Sequence, residues 1–260
     1  MPRPRLFEFH EQSWVPRIVR DSVVEGLYHL VRGRRLLREM TGPFLEFLDR
    51  TGADRVVDLC SGAGGPALIL AEEIALLGRQ PPQIVLSDLF PRPELWEAAR
   101  LRLPGSVDYW PHPVRATALP DDLSQGSPRM LGNALHHFRP EAARAILDDA
   151  MANSSGIFLC EVFPPGLRGF CSMLWPKPWI VAALPFLSSA RPLRRVFLTL
   201  LMPVISSALI WDGAVSSLRM YREPELSRLT APLSDRFEWV YGTFPYRPMG
   251  WSTYLYGVHR

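Results

Sequence analysis

The chain of 260 residues carries 29 basic and 26 acidic side chains, a formal net charge of +3, and 47% of its residues are hydrophobic. These values are typical of a globular protein with a sizeable core, and the absence of a dense basic run does not favour a nucleic-acid partner. The sequence has three cysteines without CxxC spacing, which argues against a disulfide framework and a cysteine zinc site. Because the N-terminus lacks the apolar stretch of a signal peptide, we expect a cytoplasmic enzyme.

Helical patterns precede the first predicted strand. Residues 21–40 place apolar side chains at helical spacing, and a second helix is predicted to begin after Pro43. We therefore expect residues 1–50 to form a helical N-terminal cap.

Strands and helices then alternate along the chain. The predicted strands are residues 55–60, 83–89, 107–114, 129–135 and 156–163, and the predicted helices between them are residues 66–78, 93–103 and 140–151. This alternation predicts right-handed βαβ units, and therefore an α/β fold with a mostly parallel sheet that helices cover on both faces.

The alternation ends after Val162. Residues 163–230 are expected to form an apolar helical insertion, rich in Pro, Trp, Leu and Phe. Residues 236–244 and 251–260 are two further predicted strands, and the Pro/Gly turn between them indicates an antiparallel hairpin. With no internal repeat or low-complexity linker, the sequence predicts one domain, residues 1–260, with seven strands and an insertion after the fifth.

A glycine-rich turn follows the first strand, in the stretch Asp58-Leu-Cys-Ser-Gly62-Ala-Gly64. Glycine permits positive φ and lets a ligand approach the backbone, and Pro66 suits the first turn of the helix that follows. The exposed amides and the helix dipole favour an anionic or electron-rich ligand. Asp88 ends the second strand, at the interval where a carboxylate can bind ribose hydroxyls.

This arrangement resembles motif I of the class I S-adenosylmethionine-dependent methyltransferases, from about Asp54 to Phe163. The resemblance implies a Rossmann-like fold, S-adenosyl-L-methionine as cofactor and methyl transfer as activity. The residues that it implies for cofactor binding lie in the glycine turn and after the second, third and fourth strands: Asp58, Ser61, Gly62, Ala63, Gly64, Asp88, Leu89, Ala116, Thr117 and Asn133.

Two positions depart from the family pattern. Cys60 stands where the first glycine is usual, so the turn must accommodate its side chain. Arg115 stands where an Asp often binds the adenine amino group, and an Arg side chain cannot accept a hydrogen bond. Either the backbone of Ala116 and Thr117 reads the adenine, or Arg115 is simply a solvated loop residue.

Two adjacent histidines follow the fourth strand. His136 or His137 is a candidate general base, because a neutral imidazole titrates near working pH, and we prefer His136. The alternative is that residues 135–138 are a packing signature with one buried, hydrogen-bonded histidine. Two adjacent histidines do not make a metal site without further ligands, so no metal ion is expected.

Four further residues are candidate substrate contacts: Trp14, Glu161, Arg219 and Tyr221. Trp14 lies on an N-terminal segment that could close over the cofactor. Glu161 ends the fifth strand, at the edge where open α/β sheets bind ligands. Arg219 and Tyr221 belong to a polar stretch beside the apolar insertion. For each residue, ordinary packing, anchoring or surface exposure is the alternative.

The insertion itself has two interpretations. Its apolar segment 196–211 is 16 residues long and contains Pro203, whereas a bilayer crossing needs about 20 residues. Peripheral membrane contact would place Arg191, Arg194 and Arg195 at lipid headgroups. A lid over an apolar substrate uses the same composition, and we favour the lid.

The sequence therefore predicts an S-adenosylmethionine-dependent methyltransferase that acts on O, N or C of a small, largely apolar organic molecule. One alternative is a cofactor-binding protein of the same fold that has lost or exchanged methyl transfer. Another is a nicotinamide-dependent oxidoreductase, against which the missing third glycine and the C-terminal hairpin count.

Overall fold

A seven-stranded sheet lies at the centre of the chain. The structure, a computed structural model, describes residues 6–33, 35–124, 126–174, 192–246 and 250–260. In chain order the strands are β1 (Arg55–Leu59), β2 (Gln83–Leu86), β3 (Val107–Tyr109), β4 (Arg129–Gly132), β5 (Gly156–Glu161), β6 (Phe237–Tyr246) and β7 (Gly250–His259). The predicted strands are all present, although β3 ends well before residue 114.

The strand order in the sheet is β3-β2-β1-β4-β5-β7-β6. Strands β1 to β5 pair in parallel, whereas β7 runs antiparallel to both β5 and β6. The predicted mostly parallel sheet with a reversed C-terminal strand is confirmed. Since the chain leaves β1 toward β2 on one side and returns to β4 on the other, a crevice opens beyond the carboxyl ends of β1 and β4.

Helices pack on both sides of this sheet. In chain order they are α1 (Arg17–Gly33), α2 (Thr41–Thr51), α3 (Gly65–Leu76), α4 (Pro93–Arg102), α5 (Asp121–Ser124), α6 (Pro140–Asn153), α7 (Leu167–Leu174), α8 (Pro192–Val196), α9 (Val204–Arg219) and α10 (Glu223–Thr230). A π-helical segment, Phe197–Leu201, follows α8 directly. The predicted helix 21–40 begins earlier, at the start of α1, and ends at Gly33.

The two faces of the sheet have separate cores. Val56 belongs to the cluster that contains α2, α3 and α4, whereas the next residue, Val57, belongs to the cluster with α6 and α10. This alternation follows from the two-residue period of a strand, which points successive side chains to opposite faces. Both faces are therefore buried, as a parallel sheet requires.

A third, smaller core joins the N-terminal helix to the insertion. Val15, Val19 and Val23 pack with Ile205 and Ala208 of α9. This contact fixes α1 and α9 side by side above the carboxyl edge of the sheet. The insertion's residues 175–191, with the apolar stretch 179–187, and the hairpin turn 247–249 lie outside the described residues.

Peripheral membrane contact would require the arginines of the insertion to be accessible to lipid headgroups. Arg195 is buried and donates to Glu25 of α1 at 2.6 and 3.1 Å, so it is not available to lipid headgroups. Arg194 is exposed, and Arg191 lies outside the described residues. Within the described ranges no single helix is long and apolar enough to span a membrane, and Leu193–Leu201 and α9 pass that test only together, across a 69° bend.

An ion pair between β4 and α6 is expected to make a large contribution to stability. The Arg129 side chain has no exposed surface, and its guanidinium donates to Asp149 of α6. Asp149→Ala leaves that charge buried without its carboxylate, so we expect a loss of about 3–5 kcal/mol in the free energy of unfolding in urea denaturation. The double variant Arg129→Met/Asp149→Leu should lose less, because no buried charge remains.

The neighbouring residue offers a matched control. Asp148 pairs with Arg144 on the exposed side of α6, so Asp148→Ala should cost less than about 1 kcal/mol. Equal losses for Asp149→Ala and Asp148→Ala would contradict the prediction.

Candidate functional site

A tight loop joins β1 to α3 through left-handed backbone conformations at alternate residues. The φ angles are +56° at Cys60, +54° at Gly62 and +85° at Gly64. The two glycines adopt such angles without strain, whereas Cys60 does so at a cost of order 1 kcal/mol or more. The turn thus accommodates a side chain at the position where the sequence departs from the glycine pattern.

Neighbouring strands and helices fix this loop in place. The Gly62 N–H donates to the Asp88 carboxylate at 2.8 Å, and the Gly62 carbonyl accepts from the Trp96 indole at 3.0 Å. The Ser61 hydroxyl donates to the Asp58 carbonyl and accepts from the Ser87 N–H, both at 3.0 Å. The loop is therefore held rigidly at the crevice before any ligand binds.

The crevice contains a cavity of about 690 Å³, within the range of about 300–1,000 Å³ that is usual for small-molecule sites. The glycine loop, the ends of β2, β4 and β5, and helices α1 and α9 all contribute to its walls. Of the predicted cofactor residues, six line it: Ser61, Gly62, Ala63, Asp88, Leu89 and Asn133.

The other four predicted cofactor residues lie outside the lining that the described residues form. Gly64 is buried under the loop, where a Cβ atom would come within 2.8 Å of Leu68. Ala116 is buried and Thr117 half-buried in the segment after β3. Asp58 is buried at the end of β1 behind the loop.

Burial gives Asp58 an unusual charge state. Desolvation raises the pKa of its carboxyl to about 7, and the nearby charge of Asp88 acts in the same direction, against a hydrogen bond from Ser61. The carboxyl can thus be neutral near physiological pH, because in a buried site the neutral form avoids the cost of desolvating a charge.

The two histidines after β4 have different environments. His136 is buried outside the cavity lining, and its Nδ1 lies 2.8 Å from the Glu161 carboxylate. His137 lines the cavity and is partly exposed. Of these two imidazoles, His137 is the one that borders the cavity. Glu161, expected at the substrate, instead accepts bonds from the backbone and ring of His136.

The other three predicted substrate residues also lie outside the cavity lining. Trp14 is 67% exposed and packs its ring against Phe7 and Phe9. The Tyr221 hydroxyl is turned inward and donates to the Phe138 carbonyl at 2.9 Å. Arg219 forms ion pairs with two N-terminal glutamates rather than facing a substrate.

Those glutamates belong to a polar cluster that the sequence analysis missed. The Phe9 and His10 N–H groups donate to the Asp212 carboxylate of α9 at 2.6 and 3.0 Å, and His10 Nδ1 lies 2.9 Å from the same carboxylate. His137 Nδ1 lies 2.7 Å from Glu11 Oε1. Segments about 125 and 200 residues apart meet here, and no local pattern in the sequence could have indicated it.

Burial and charge act together on these side chains. Burial raises the pKa of Glu8, and burial together with the neighbouring His136 lowers the pKa of His137. Burial by itself would raise the pKa of Glu11 and lower the pKa of His10. Hydrogen bonds and neighbouring charges have the larger combined effect on both groups. The pKa of Glu11 falls to about 2 beside His137 and Arg219, and the pKa of His10 is raised by Asp212 and Glu8.

Several known structures with the same fold are described as methyltransferases. Magnesium protoporphyrin IX methyltransferase (ChlM) from Synechocystis PCC 6803, with bound S-adenosylhomocysteine, is 13% identical, with a TM-score of 0.50 over 97% of this chain and 91% of that chain. A protein from Nostoc punctiforme PCC 73102 described as an O-methyltransferase is 12% identical, with a TM-score of 0.50 over 85% of this chain and 56% of that one. The methyltransferase domain of bacterial CtHen1 is 11% identical, with a TM-score of 0.50 over 86% of this chain and all of that one.

No protein-family model and no curated protein matches the sequence. The structural likeness confirms the predicted fold: the chain has the fold of the class I S-adenosylmethionine-dependent methyltransferases. At these identities the likeness concerns the fold, and the chemistry has to be argued from the site.

The raised pKa of Asp58 predicts a pH dependence of stability. A carboxyl with a folded-state pKa of about 7 favours the folded state fully below its ordinary pKa of 3.8, and this contribution is lost as the pH rises toward 7. The variant Asp58→Asn has no ionisable group at this position, so its free energy of unfolding does not fall for this reason as the pH rises. Relative to the wild type, its free energy of unfolding should increase by up to about 4 kcal/mol between pH 4 and pH 8, as measured by urea denaturation. A difference that stays constant over this range would contradict the assignment.

Proposed function

We propose that the protein transfers a methyl group from S-adenosylmethionine to an O, N or C atom of a small, largely apolar organic molecule. The observation that carries the proposal is the β1–α3 loop, whose backbone is left-handed at alternate residues and whose Gly62 amide is tied to Asp88. This loop opens onto a cavity at the carboxyl edge of the sheet. The fold is that of the class I methyltransferases.

The loop and Asp88 suit the two halves of the cofactor. Gly62 and Ala63 present backbone without bulky side chains to the cavity, which allows close approach of the methionine part. The Asp88 carboxylate at the end of β2 can accept hydrogen bonds from ribose hydroxyls. We retain Ala116 and Thr117 as the adenine contacts, which requires the segment after β3 to move toward the cavity when the cofactor binds.

Arg20 supplies a cation to the same cavity. It lines the wall that α1 forms, and its buried Nε has no hydrogen-bond partner among the described residues. A carboxylate would satisfy this donor, and the cofactor's methionine part carries one.

The acceptor side of the cavity is mainly apolar. Val23 and Leu27 of α1 line it together with Leu209 and Ile210 of α9. Such walls bind apolar surface and exclude water, which is the basis for proposing a largely apolar acceptor. We infer that residues 1–50 act as a cap and residues 163–230 as a lid within a single domain, because α1 and α9 enclose the cavity together.

The cofactor's sulfonium supplies the methyl group, and the residues of the protein hold the cofactor and the acceptor in the reactive geometry. A displacement at the methyl carbon requires the acceptor atom in line with the departing sulfur, so most of the rate enhancement comes from holding the two reactants together. We infer that the polar groups of the lining, His137 among them, contact the polar atom of the acceptor.

Calorimetry and labelling test the proposal directly. The protein should bind S-adenosylhomocysteine in a one-to-one complex and should not bind NADH. Label should pass from methyl-tritiated S-adenosylmethionine to a member of a panel of apolar phenols, amines and carbon acids. Binding of NADH without S-adenosylhomocysteine would refute the proposal and favour a nicotinamide-dependent enzyme.

Substitution of Asp88 tests directly where the cofactor binds. Asp88→Ala removes a charged acceptor for ribose hydroxyls, which should weaken S-adenosylhomocysteine binding about 10- to 150-fold, the equivalent of roughly 1.5–3 kcal/mol. Asp108 lies exposed on β3, away from the cavity, so Asp108→Ala serves as the matched control and should leave affinity unchanged. Equal affinities for the two variants would show that Asp88 does not hold the ribose.

Gly62 and Gly52 form a second matched pair. Both have positive φ, +54° and +62°, and a Cβ atom would meet nothing within 4 Å at either position. Gly62→Ala and Gly52→Ala should therefore each cost about 1 kcal/mol in the free energy of unfolding. Since only Gly62 lines the cavity, only Gly62→Ala should also weaken S-adenosylhomocysteine binding in calorimetry. Equal binding by both variants would place the cofactor elsewhere.

A further inference from the structure

Three side chains with metal-binding atoms meet at one end of the cavity. Glu8 and His10 come from the N-terminal segment, His137 follows β4, and one ligand atom of each lies within 4.8 Å of the others. His10 and His137 also line the cavity, so the cluster faces the space where an acceptor would bind.

The separations within this cluster match those inside a coordination sphere. Glu8 Oε2 lies 3.5 Å from His10 Nδ1 and 3.9 Å from His137 Nδ1. Ligands at 2.0–2.2 Å from a tetrahedral ion are about 3.4 Å from one another, so small side-chain movements would bring these three atoms onto one ion.

Glu8 provides the strongest single indication of a missing partner. Its side chain is fully buried, and its Oε2 has no hydrogen-bond partner among the described residues. The other oxygen, Oε1, accepts from Arg219 at 2.8 Å. Arg219 thus orients the carboxylate and leaves Oε2 directed at the two imidazoles. A buried carboxylate oxygen without a partner is costly, and a cation would remove that cost.

The surrounding charges also favour a divalent cation. Glu8, Glu11 and Asp212 carry three carboxylates, against the one guanidinium of Arg219, which leaves two negative charges when the carboxylates are ionised and the imidazoles neutral. The Asp212 and Glu11 carboxylates lie 2.9 and 2.7 Å from the His10 and His137 Nδ1 atoms. They can complete the coordination, because an Nδ1 atom that binds the ion no longer donates a hydrogen bond to them.

We propose that Glu8, His10 and His137 bind one divalent transition-metal ion at the acceptor end of the cavity. Two imidazoles with a carboxylate suit Zn²⁺, Fe²⁺ or Co²⁺, whereas Mg²⁺ prefers oxygen ligands alone. No metal ion was expected from the sequence, because two adjacent histidines do not make a metal site without further ligands. Glu8 and His10 are far from His137 along the chain and become its neighbours only in the folded structure.

A bound ion has two structural consequences. It ties the N-terminal segment to the turn after β4, and it presents a positive charge to the cavity. If the proposed methyl transfer is correct, on which this second role rests, the ion binds the acceptor's polar atom, and His137 then serves as a ligand rather than as a base.

Calorimetric titration of the full-length, chelator-treated protein tests the proposal, provided that the protein is prepared without a histidine tag. We expect one equivalent of Zn²⁺ to bind per chain and Mg²⁺ not to bind under the same conditions. Glu8→Gln keeps the shape of the side chain but removes its charge, and it should weaken Zn²⁺ binding by about 100-fold or more, beyond the 10- to 100-fold typical of outer residues. His137→Asn should weaken Zn²⁺ binding in the same way. Because the His137 side chain is partly exposed, this variant tests the proposal even if Glu8→Gln does not fold.

Two exposed residues supply the controls. Glu39→Gln and His112→Asn remove the same chemical groups elsewhere on the surface and should leave Zn²⁺ binding unchanged. Co²⁺ in place of Zn²⁺ gives an independent readout, since visible absorption should appear in the wild type and be absent from both site variants. No Zn²⁺ binding by the wild type, or binding that Glu8→Gln and His137→Asn leave unaltered, would overturn the proposal and leave a cluster joined by hydrogen bonds alone.

Binding of S-adenosylhomocysteine separates this inference from the proposed function. The glycine loop is distinct from the metal cluster, so the site variants should keep their affinity for S-adenosylhomocysteine. Zn²⁺ binding without S-adenosylhomocysteine binding would refute only the methyltransferase proposal, and the reverse result would refute only the metal site.

Discussion

The hydrogen bond between the Gly62 amide and the Asp88 carboxylate is the constraint on which the site depends. It joins the turn after β1 to the end of β2, and the Trp96 indole of α4 donates to the Gly62 carbonyl in the next peptide group. Since the loop must pass through left-handed conformations at alternate residues, only small or tolerant residues can occupy it. The position and the shape of the crevice both follow from this turn.

A second set of interactions closes the crevice from above. The N-terminal segment is held on α9 by the Asp212 carboxylate, which accepts from two successive backbone amides, and Arg219 binds Glu8 from the next turns of the same helix. Apolar contacts between α1 and α9 reinforce this arrangement. Two polar residues of α9 thus have different roles. Asp212 lines the cavity and anchors the N-terminal segment, whereas Arg219, a predicted substrate contact, binds Glu8 of that segment.

The cavity therefore has two chemically different ends. At the sheet, the glycine loop and Asp88 form a polar wall. The side chains that α1 and α9 contribute are mainly apolar, and the lining also includes a cluster of imidazoles and carboxylates that is partly shielded from water. In a region of low polarity such charged groups interact strongly, so a ligand atom that reaches them is either bound firmly or excluded.

The sequence by itself determined the sheet and the loop, because both depend on local signals. Apolar periodicity gave the strands and most helices, and the glycines after β1 with Asp88 after β2 predicted the crevice, since the ends of adjacent parallel strands meet at one edge. Only the tertiary structure decided which of two adjacent histidines reaches the cavity and what Glu161, Arg219 and Tyr221 contact. Those contacts join segments as far apart as Glu8 and Arg219, and the packing of α1 on α9, which no local pattern encodes, brings them together.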